Sequence, residues 1–196
     1  MTPPRPHLVL INAAIGGLRG NTATALVHAQ RRLRRRAEVS TVTLAPDVSF
    51  QQVQPTLAAA DGFLFGTGTH WDSWSSVLQR FLEDATPSEG TRLWLGKPAA
   101  CVVTDHSAGG KGVLSRLQGV LVTFGCEIPP MSGLVLSRAT LLAAAHDRAA
   151  SRDFWTPDDL RVVCHNPVEA ASGTRRWRAW PVDRTDVHHR WFVPPG

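Results

Sequence analysis

Leu8-Val9-Leu10-Ile11-Asn12-Ala13-Ala14-Ile15-Gly16-Gly17-Leu18-Arg19-Gly20-Asn21-Thr22 is the stretch that decides the fold of this chain. Leu8 to Ile11 is a nearly continuous apolar run, as expected of a strand covered on both faces. A glycine-rich loop follows. Asn21-Thr22 then opens a helix predicted to about Arg36, with Ala23, Leu26, Val27 and Leu33 on its inner side. The same order returns twice. Gly62 to Phe65 runs into Gly66-Thr67-Gly68-Thr69-His70-Trp71-Asp72-Ser73, and Ala99 to Val103 runs into Thr104-Asp105-His106-Ser107-Ala108-Gly109-Gly110-Lys111-Gly112. Strand, small-residue loop, helix, three times over, predicts an α/β fold whose parallel sheet gathers its ligand loops at one edge.

The remaining elements fill in around these three. Val39 to Leu44 alternates apolar and polar residues, which predicts a strand nearer an edge. Asp47 to Ala60 reads as a helix broken at Pro55. Trp74, Val77, Leu78, Phe81, Leu82 and Ala85 form the stripe of a helix docked on a sheet, with Asp72 or Ser73 as its cap. Pro98 to Val103 is the fourth strand. Val113, Leu114, Leu117, Val120, Leu121 and Phe124 make a second clean stripe, closed by Gly125. Ile128 to Leu136, entered through Pro129-Pro130, reads as a fifth strand. Helices are expected over Thr140 to Ala150 and Thr156 to Ser172, the latter interrupted at Pro167. Residues 1–172 then form one domain. Residues 173–196 form an arm whose Trp177, Trp180 and Trp191 seek an apolar surface, on the same body or across a subunit interface.

Composition narrows the function classes. A chain of 196 residues, 43% hydrophobic and 19% charged, has the make-up of one folded globular domain. No apolar run is long enough to span a bilayer, and Leu8 to Ile15, which leads into a glycine loop, reads as a strand and not a secretory core. A soluble, cytoplasmic protein with no membrane partner is expected. Cys101, Cys126 and Cys164 are odd in number and form no C-x-x-C pair, so they read as small buried hydrophobes. His188-His189 lacks a third ligand at suggestive spacing, and no metal is expected. The net charge of +5 is carried almost wholly by arginine, with Lys97 and Lys111 the only lysines. The dense run Arg31-Arg32-Leu33-Arg34-Arg35-Arg36 falls at a helix end, where cations complement the macrodipole. Without interleaved aromatics it reads as a solvated helix end, and no nucleic-acid partner is expected.

A loop between a strand end and a helix start presents unpaired N–H groups and the positive end of the helix dipole, which suits an anion. Gly16, Gly17 and Gly20 let the backbone approach closely, Asn21 and Thr22 add hydrogen bonds or simply cap the helix, and Arg19 supplies charge. The glycines do not follow G-x-G-x-x-G, and no G-K-[ST] ends a loop, so neither a dinucleotide fingerprint nor a Walker loop is present. The second and third loops carry hydroxyls, glycine backbone and flat aromatics. Such material can hold a ring system with its polar rim in hydrogen bonds, while His70 and Trp71 either flank that ring or serve as ordinary loop and core residues.

Asn12 to Ala23 resembles the N-G-S-P-R-x-x-G-N-T phosphate loop of the flavodoxin-like NAD(P)H-dependent FMN reductases and quinone reductases. Ala60 to Ser73 resembles that family's A-D-G-x-x-F-G-T-P-T-Y-x-G-S segment, and Gly96-Lys97-Pro98 through Gly112 its G-K-P strand and glycine-rich flavin loop. The resemblance covers about residues 7–136. It implies a flavodoxin-like three-layer sandwich around a five-stranded parallel sheet of order 2-1-3-4-5, with FMN at the C-terminal edge of the strands. It implies FMN phosphate contacts from Asn21 and Thr22. Thr69, His70, Trp71 and Ser73 would line one side of the flavin ring, and Thr104, His106, Gly109 and Gly110 its other rim, with Ala14, Arg19, Gly20, Thr67 and Ser107 as further expected cofactor-binding positions. A homodimer, NAD(P)H as co-substrate and a small-molecule electron acceptor are implied too.

The chain departs from the family pattern in places. Alanine (Ala13 or Ala14) replaces the loop serine, Gly68 stands for proline, Asp72 for glycine, and Asp105 sets a negative charge near the flavin. The leading expectation is an oxidoreductase in which NAD(P)H passes hydride through FMN to a quinone, nitro or azo compound, or free flavin. His106 is the candidate proton donor. Two other readings stand beside it: a flavodoxin-type electron carrier, and a scaffold with an altered or lost FMN site that acts as a binding protein.

Overall fold

The computed structural model describes residues 5–146 and 155–173. The C-terminal arm therefore lies outside the described residues, as does the end of the helix expected to reach Ala150. Five strands, β1 (His7–Ala13), β2 (Glu38–Thr43), β3 (Gly62–Gly68), β4 (Ala99–Asp105) and β5 (Gly133–Ser137), form one sheet of order β2-β1-β3-β4-β5. Every pairing is parallel. This is the expected flavodoxin-like arrangement, in which strand order reverses between β1 and β3.

Burial along the strands explains their composition. In β1, Val9 and Ile11 join one apolar cluster while Leu8 and Leu10 join another on the opposite face. The first cluster takes in α2 (Phe50–Ala58), α3 (Ser76–Ala85) and α4 (Gly110–Phe124), and the second takes in α1 (Asn21–Leu33) and α6 (Leu160–Ala171). A sheet covered on both sides needs apolar residues at successive positions. The fully buried Trp94 sits among Phe63, Phe81 and Phe124, and its indole N–H donates to Ser88 Oγ at 2.8 Å. Gly66 lets α1 close on the sheet, since a Cβ there would lie 2.8 Å from the Leu26 side chain.

Several boundaries differ from expectation. α2 is continuous through Pro55: the proline is exposed and forgoes only its own amide, and Ser49 and Gln52 cap the helix start reciprocally. Pro167 lies inside α6 with its ring buried in the core, and the helix runs on. α1 stops at Leu33, and Arg34 to Arg36 form a turn. β5 starts at Gly133 because Pro129 and Pro130 offer no N–H to a ladder. Ser132, just before it, accepts from the Cys101 N–H at 2.8 Å. The cap of α3 is Ser75, not Asp72 or Ser73, and Trp74 stands outside the helix. α5 (Arg138–His146) rides on the surface and buries none of its residues.

Burial pushes all three thiols up, Cys126 and Cys164 to about 12. No helix among the described residues is long and apolar enough to cross a membrane.

Candidate active site at the C-terminal edge of the sheet

Three loops meet where β1, β3 and β4 end, and each pair of them is tied directly. Ser75 Oγ, after β3, donates to the Ala13 carbonyl at the end of β1. Thr22 Oγ1, in the first turn of α1, lies 2.6 Å from Thr104 Oγ1 in β4. The Thr69 N–H donates to the Thr104 carbonyl at 2.8 Å. These contacts join positions far apart in sequence and fix the crevice as one unit.

Asn12 shapes the first loop. Its buried side chain accepts from the Ala14 N–H at 3.3 Å and donates to the Gly17 carbonyl at 2.8 Å, folding residues 14–17 back over the strand end. Two turns follow, Gly17 N–H to Ala14 O at 2.9 Å and Arg19 N–H to Gly16 O at 3.1 Å. Gly17 (φ 57) and Gly20 (φ 148) take backbone that L side chains rarely adopt. The ladder of α1 starts with Thr24 donating to the Gly20 carbonyl at 3.0 Å. The N–H groups of Asn21, Thr22 and Ala23 are thereby left without intrahelical partners at the positive end of the helix. No acidic residue occupies that first turn, and exposed Arg19 stands beside it. An anionic phosphate fits this loop.

The second loop is a tight turn. His70 N–H donates to Ser73 O at 2.7 Å and Ser73 N–H to His70 O at 3.0 Å, with Trp71 (φ 49) and Asp72 (φ 56) between them in left-handed backbone. That is hairpin-turn geometry, and it explains why neither Asp72 nor Ser73 caps α3. Ser75 takes the role, its Oγ accepting from the Leu78 N–H at 3.2 Å. Thr67 is turned inward: its hydroxyl donates to Gly68 O at 3.1 Å and accepts from the Ser75 N–H at 3.2 Å. Thr69 Oγ1 is different, being buried with no partner among the described residues.

The third loop leads into α4 through Gly109 (φ 86). A Cβ at Gly109 would lie 2.2 Å from Asp72 Oδ1, and one at Gly110 would lie 2.3 Å from Asp105 Oδ2. Only glycine lets the two loops and the strand end close together. Asp105 Oδ2 accepts from the Gly110 N–H at 3.0 Å, while its Oδ1 is buried without a partner among the described residues. The N–H groups of Ser107, Ala108 and Gly109 donate to no acceptor among those residues. Free amides and the orphaned Thr69 hydroxyl suit the polar rim of a flat heterocycle. The Asp105 carboxylate suits only a donor there, such as a ring N–H.

The positions predicted from sequence therefore gather at one edge, but they do not play equal parts. Ala14 is buried, and its N–H and C=O are already bonded to Asn12 and Gly17. Thr22, Thr67 and Thr104 spend their hydroxyls on internal bonds. Asn21 lines a neighbouring cavity of about 340 Å³ together with His28, Thr104, Asp105, Arg138 and Leu141. Arg19, His70, Trp71, Ser73, His106 and Ser107 remain at least partly open to solvent. The His106 carbonyl accepts from Ala139 at 2.9 Å, joining the third loop to α5. Asn12, Ser75 and Arg116, whose guanidinium donates to the Asp72 carbonyl, shape the site without having been singled out from sequence. The one available signal was for Asn12, an amide ending an otherwise apolar strand just before a glycine loop. Among the described residues, no group of three or more His, Cys, Asp or Glu side chains forms a metal site.

Comparison with known proteins agrees with this geometry. A family model described as NADPH-dependent FMN reductase matches residues 8–140. No curated protein matches the chain. Among solved structures, RosB with bound 8-demethyl-8-formylriboflavin-5'-phosphate is similar at 13% identity and a TM-score of 0.65, covering 97% of this chain and 96% of that one. The apo form of the NADH:FMN oxidoreductase EMOB is 16% identical with a TM-score of 0.60, over 81% and 88% of the two chains. An NADPH-quinone reductase from P. pentosaceus is 14% identical with a TM-score of 0.56, over 87% and 99%. At such identities the likeness is one of fold.

Proposed function

The chain belongs to the NADPH-dependent FMN reductase family, and from that premise we infer that the three loops hold FMN while a small organic molecule takes up its electrons. The protein is an FMN-dependent oxidoreductase with NAD(P)H as reductant. In this reading the N–H groups of residues 20–23 and Arg19 hold the phosphate, and Thr69, His70, Ser73 and the backbone of residues 107–110 border the ring. FMN, when bound, supplies the hydride acceptance and donation that the side chains themselves cannot.

What the chain supplies is position and field. The Thr22–Thr104 link holds the phosphate loop against β4, so anion and ring sites keep a fixed separation. Asp105 places negative charge at the ring's rim, which opposes build-up of negative charge there on reduction. His106, exposed on the third loop, is the group to which this reading gives the proton handed to the acceptor. The net positive charge draws in the phosphates of NADPH. The acceptor is a quinone, a nitro or azo compound, or free flavin. A cytoplasmic homodimer, with the neighbouring subunit closing the open side of the crevice, completes the proposal.

The observation that carries this reading is the set of unpartnered N–H groups at the start of α1, tied to the ring side of the site through Thr104. The test is the visible spectrum of the purified protein after incubation with FMN and desalting. A yellow protein that NADPH bleaches, and that a quinone recolours, is the expected result. A colourless protein that refuses FMN overturns it in favour of a binding scaffold, and a yellow one indifferent to NAD(P)H points to an electron carrier. Sedimentation or light scattering reports the subunit number.

A further inference from the structure

The turn from His70 to Ser73 holds its largest side chain in water. Trp71 is 101% exposed, and it and Asp72 both adopt left-handed backbone, which bulky L residues avoid. An Asn-Gly or Asp-Gly pair would make the same turn without strain. Strain held at the lip of a binding crevice points toward function.

The turn is also fastened. Besides its own two hydrogen bonds, the Arg116 guanidinium of α4 donates to the Asp72 carbonyl. That guanidinium lies 5.8 Å from the centre of the Trp74 ring, and the Trp74 N–H donates to Gln79 Oε1 at 2.7 Å. The Asp72 carboxylate abuts Gly109 in the third loop. On the first loop, Ile15 and Leu18 are 57% and 77% exposed. The lip of the site is thus apolar on two loops, and its aromatic member is carried on a braced turn.

We propose that Trp71 is a specificity-determining residue whose indole stacks on a flat, uncharged aromatic electron acceptor at the mouth of the crevice, with Arg116 as the positioning residue that holds the turn. The inference rests on the reading of the crevice as the flavin site. A planar acceptor gains from an aromatic face in a way that a small inorganic ion does not. Holding the turn in place beforehand spares the cost of ordering it on binding.

The experiment compares holoenzymes carrying Trp71→Ala, Trp71→Phe and Arg116→Met with the natural chain, using menadione and ferricyanide as acceptors and NADPH as reductant. In Trp71→Ala the ratio of kcat/KM for menadione to that for ferricyanide is expected to fall about tenfold, mainly through KM for menadione. Trp71→Phe should restore most of that ratio, and Arg116→Met should give an intermediate loss. The second readout needs no turnover: menadione should quench tryptophan fluorescence of the oxidised natural holoenzyme, and the saturable part of that quenching should be lost in Trp71→Ala. An unchanged ratio in a Trp71→Ala protein that still holds FMN overturns the proposal. So does loss of the dimer at an unchanged ratio, which would assign Trp71 to a subunit contact. Failure of the flavin reading looks different, because the natural chain itself would then retain no FMN.

Discussion

Thr22 and Thr104 stand 82 positions apart in the chain, yet their hydroxyl oxygens are 2.6 Å apart and sealed from solvent. One must donate and the other accept, so removing either strands its partner. A single Thr22→Val change should lower stability by about 1–3 kcal/mol, whereas Thr22→Val with Thr104→Val should recover much of that loss. Urea unfolding of the two singles and the double checks this, and equal losses that simply add would contradict it. FMN affinity should fall in all three variants, since the bond also positions the first turn of α1.

Gly109 carries a second expectation. Alanine there meets a left-handed backbone and the Asp72 carboxylate at once. Gly109→Ala should cost about 2–3 kcal/mol, and adding Asp72→Gly should return about half by removing the crowding while the backbone strain remains. Thermal or urea unfolding of the single and double variants is the measurement. A Gly109→Ala protein as stable as the natural chain would show that the loops part easily.

Much of this was visible in the sequence, and what was hidden has a physical reason. The strand-loop-helix order could be read because a strand covered on both faces must be apolar throughout and a loop approached closely must be small. β4 is apolar from Ala99 to Val103, and the expected stripes of α3 and α4 face the core at Leu78, Phe81, Leu82 and Ala85 and at Val113, Leu114, Leu117, Leu121 and Phe124, while Trp74 falls outside its helix. Local propensity misplaced the cap of α3 because Asp72 and Ser73 are used up in a two-residue turn, which leaves the task to Ser75. It also took Pro55 and Pro167 as breaks, although one merely faces solvent and the other packs in the core. That the candidate positions share one edge of the sheet was legible; which partners their side chains find there was not. Thr22 finds its partner in another strand, and Asp72 is held by Arg116 from a different helix, 44 positions away. Such pairings depend on which strands lie side by side, and no spacing along the chain reveals them.

The buried cysteines set the alkaline behaviour. An unfolded thiol ionises near the ordinary value of 9.0, while burial holds Cys126 and Cys164 back until about 12. The unfolded chain therefore sheds protons first, and stability present below pH 9 is lost as pH climbs toward 12. Each thiol contributes about 1.4 kcal/mol per pH unit within that window. Lys97 acts with the opposite sign: burial lowers it below its ordinary 10.5, so stability it withholds at neutral pH returns as pH rises toward that value. Urea midpoints at pH 7.5, 9 and 10.5 should decline, and Cys164→Ala should flatten the decline. A midpoint insensitive to pH up to 10.5 would refute the account.

Among the described residues, α5 turns none of its own into the core; at its start the Ala139 amide reaches the His106 carbonyl and the Thr140 hydroxyl the Ser137 carbonyl. Its amides should exchange with solvent before those of the sheet do, which hydrogen exchange measures. It also forms one wall of the cavity that Asn21 and Asp105 share with Arg138 and Leu141. The chamber next to the strand ends is therefore bounded on one side by α1 and β4, which the core holds, and on the other by a helix that adds nothing to that core and reaches the third loop through Ala139.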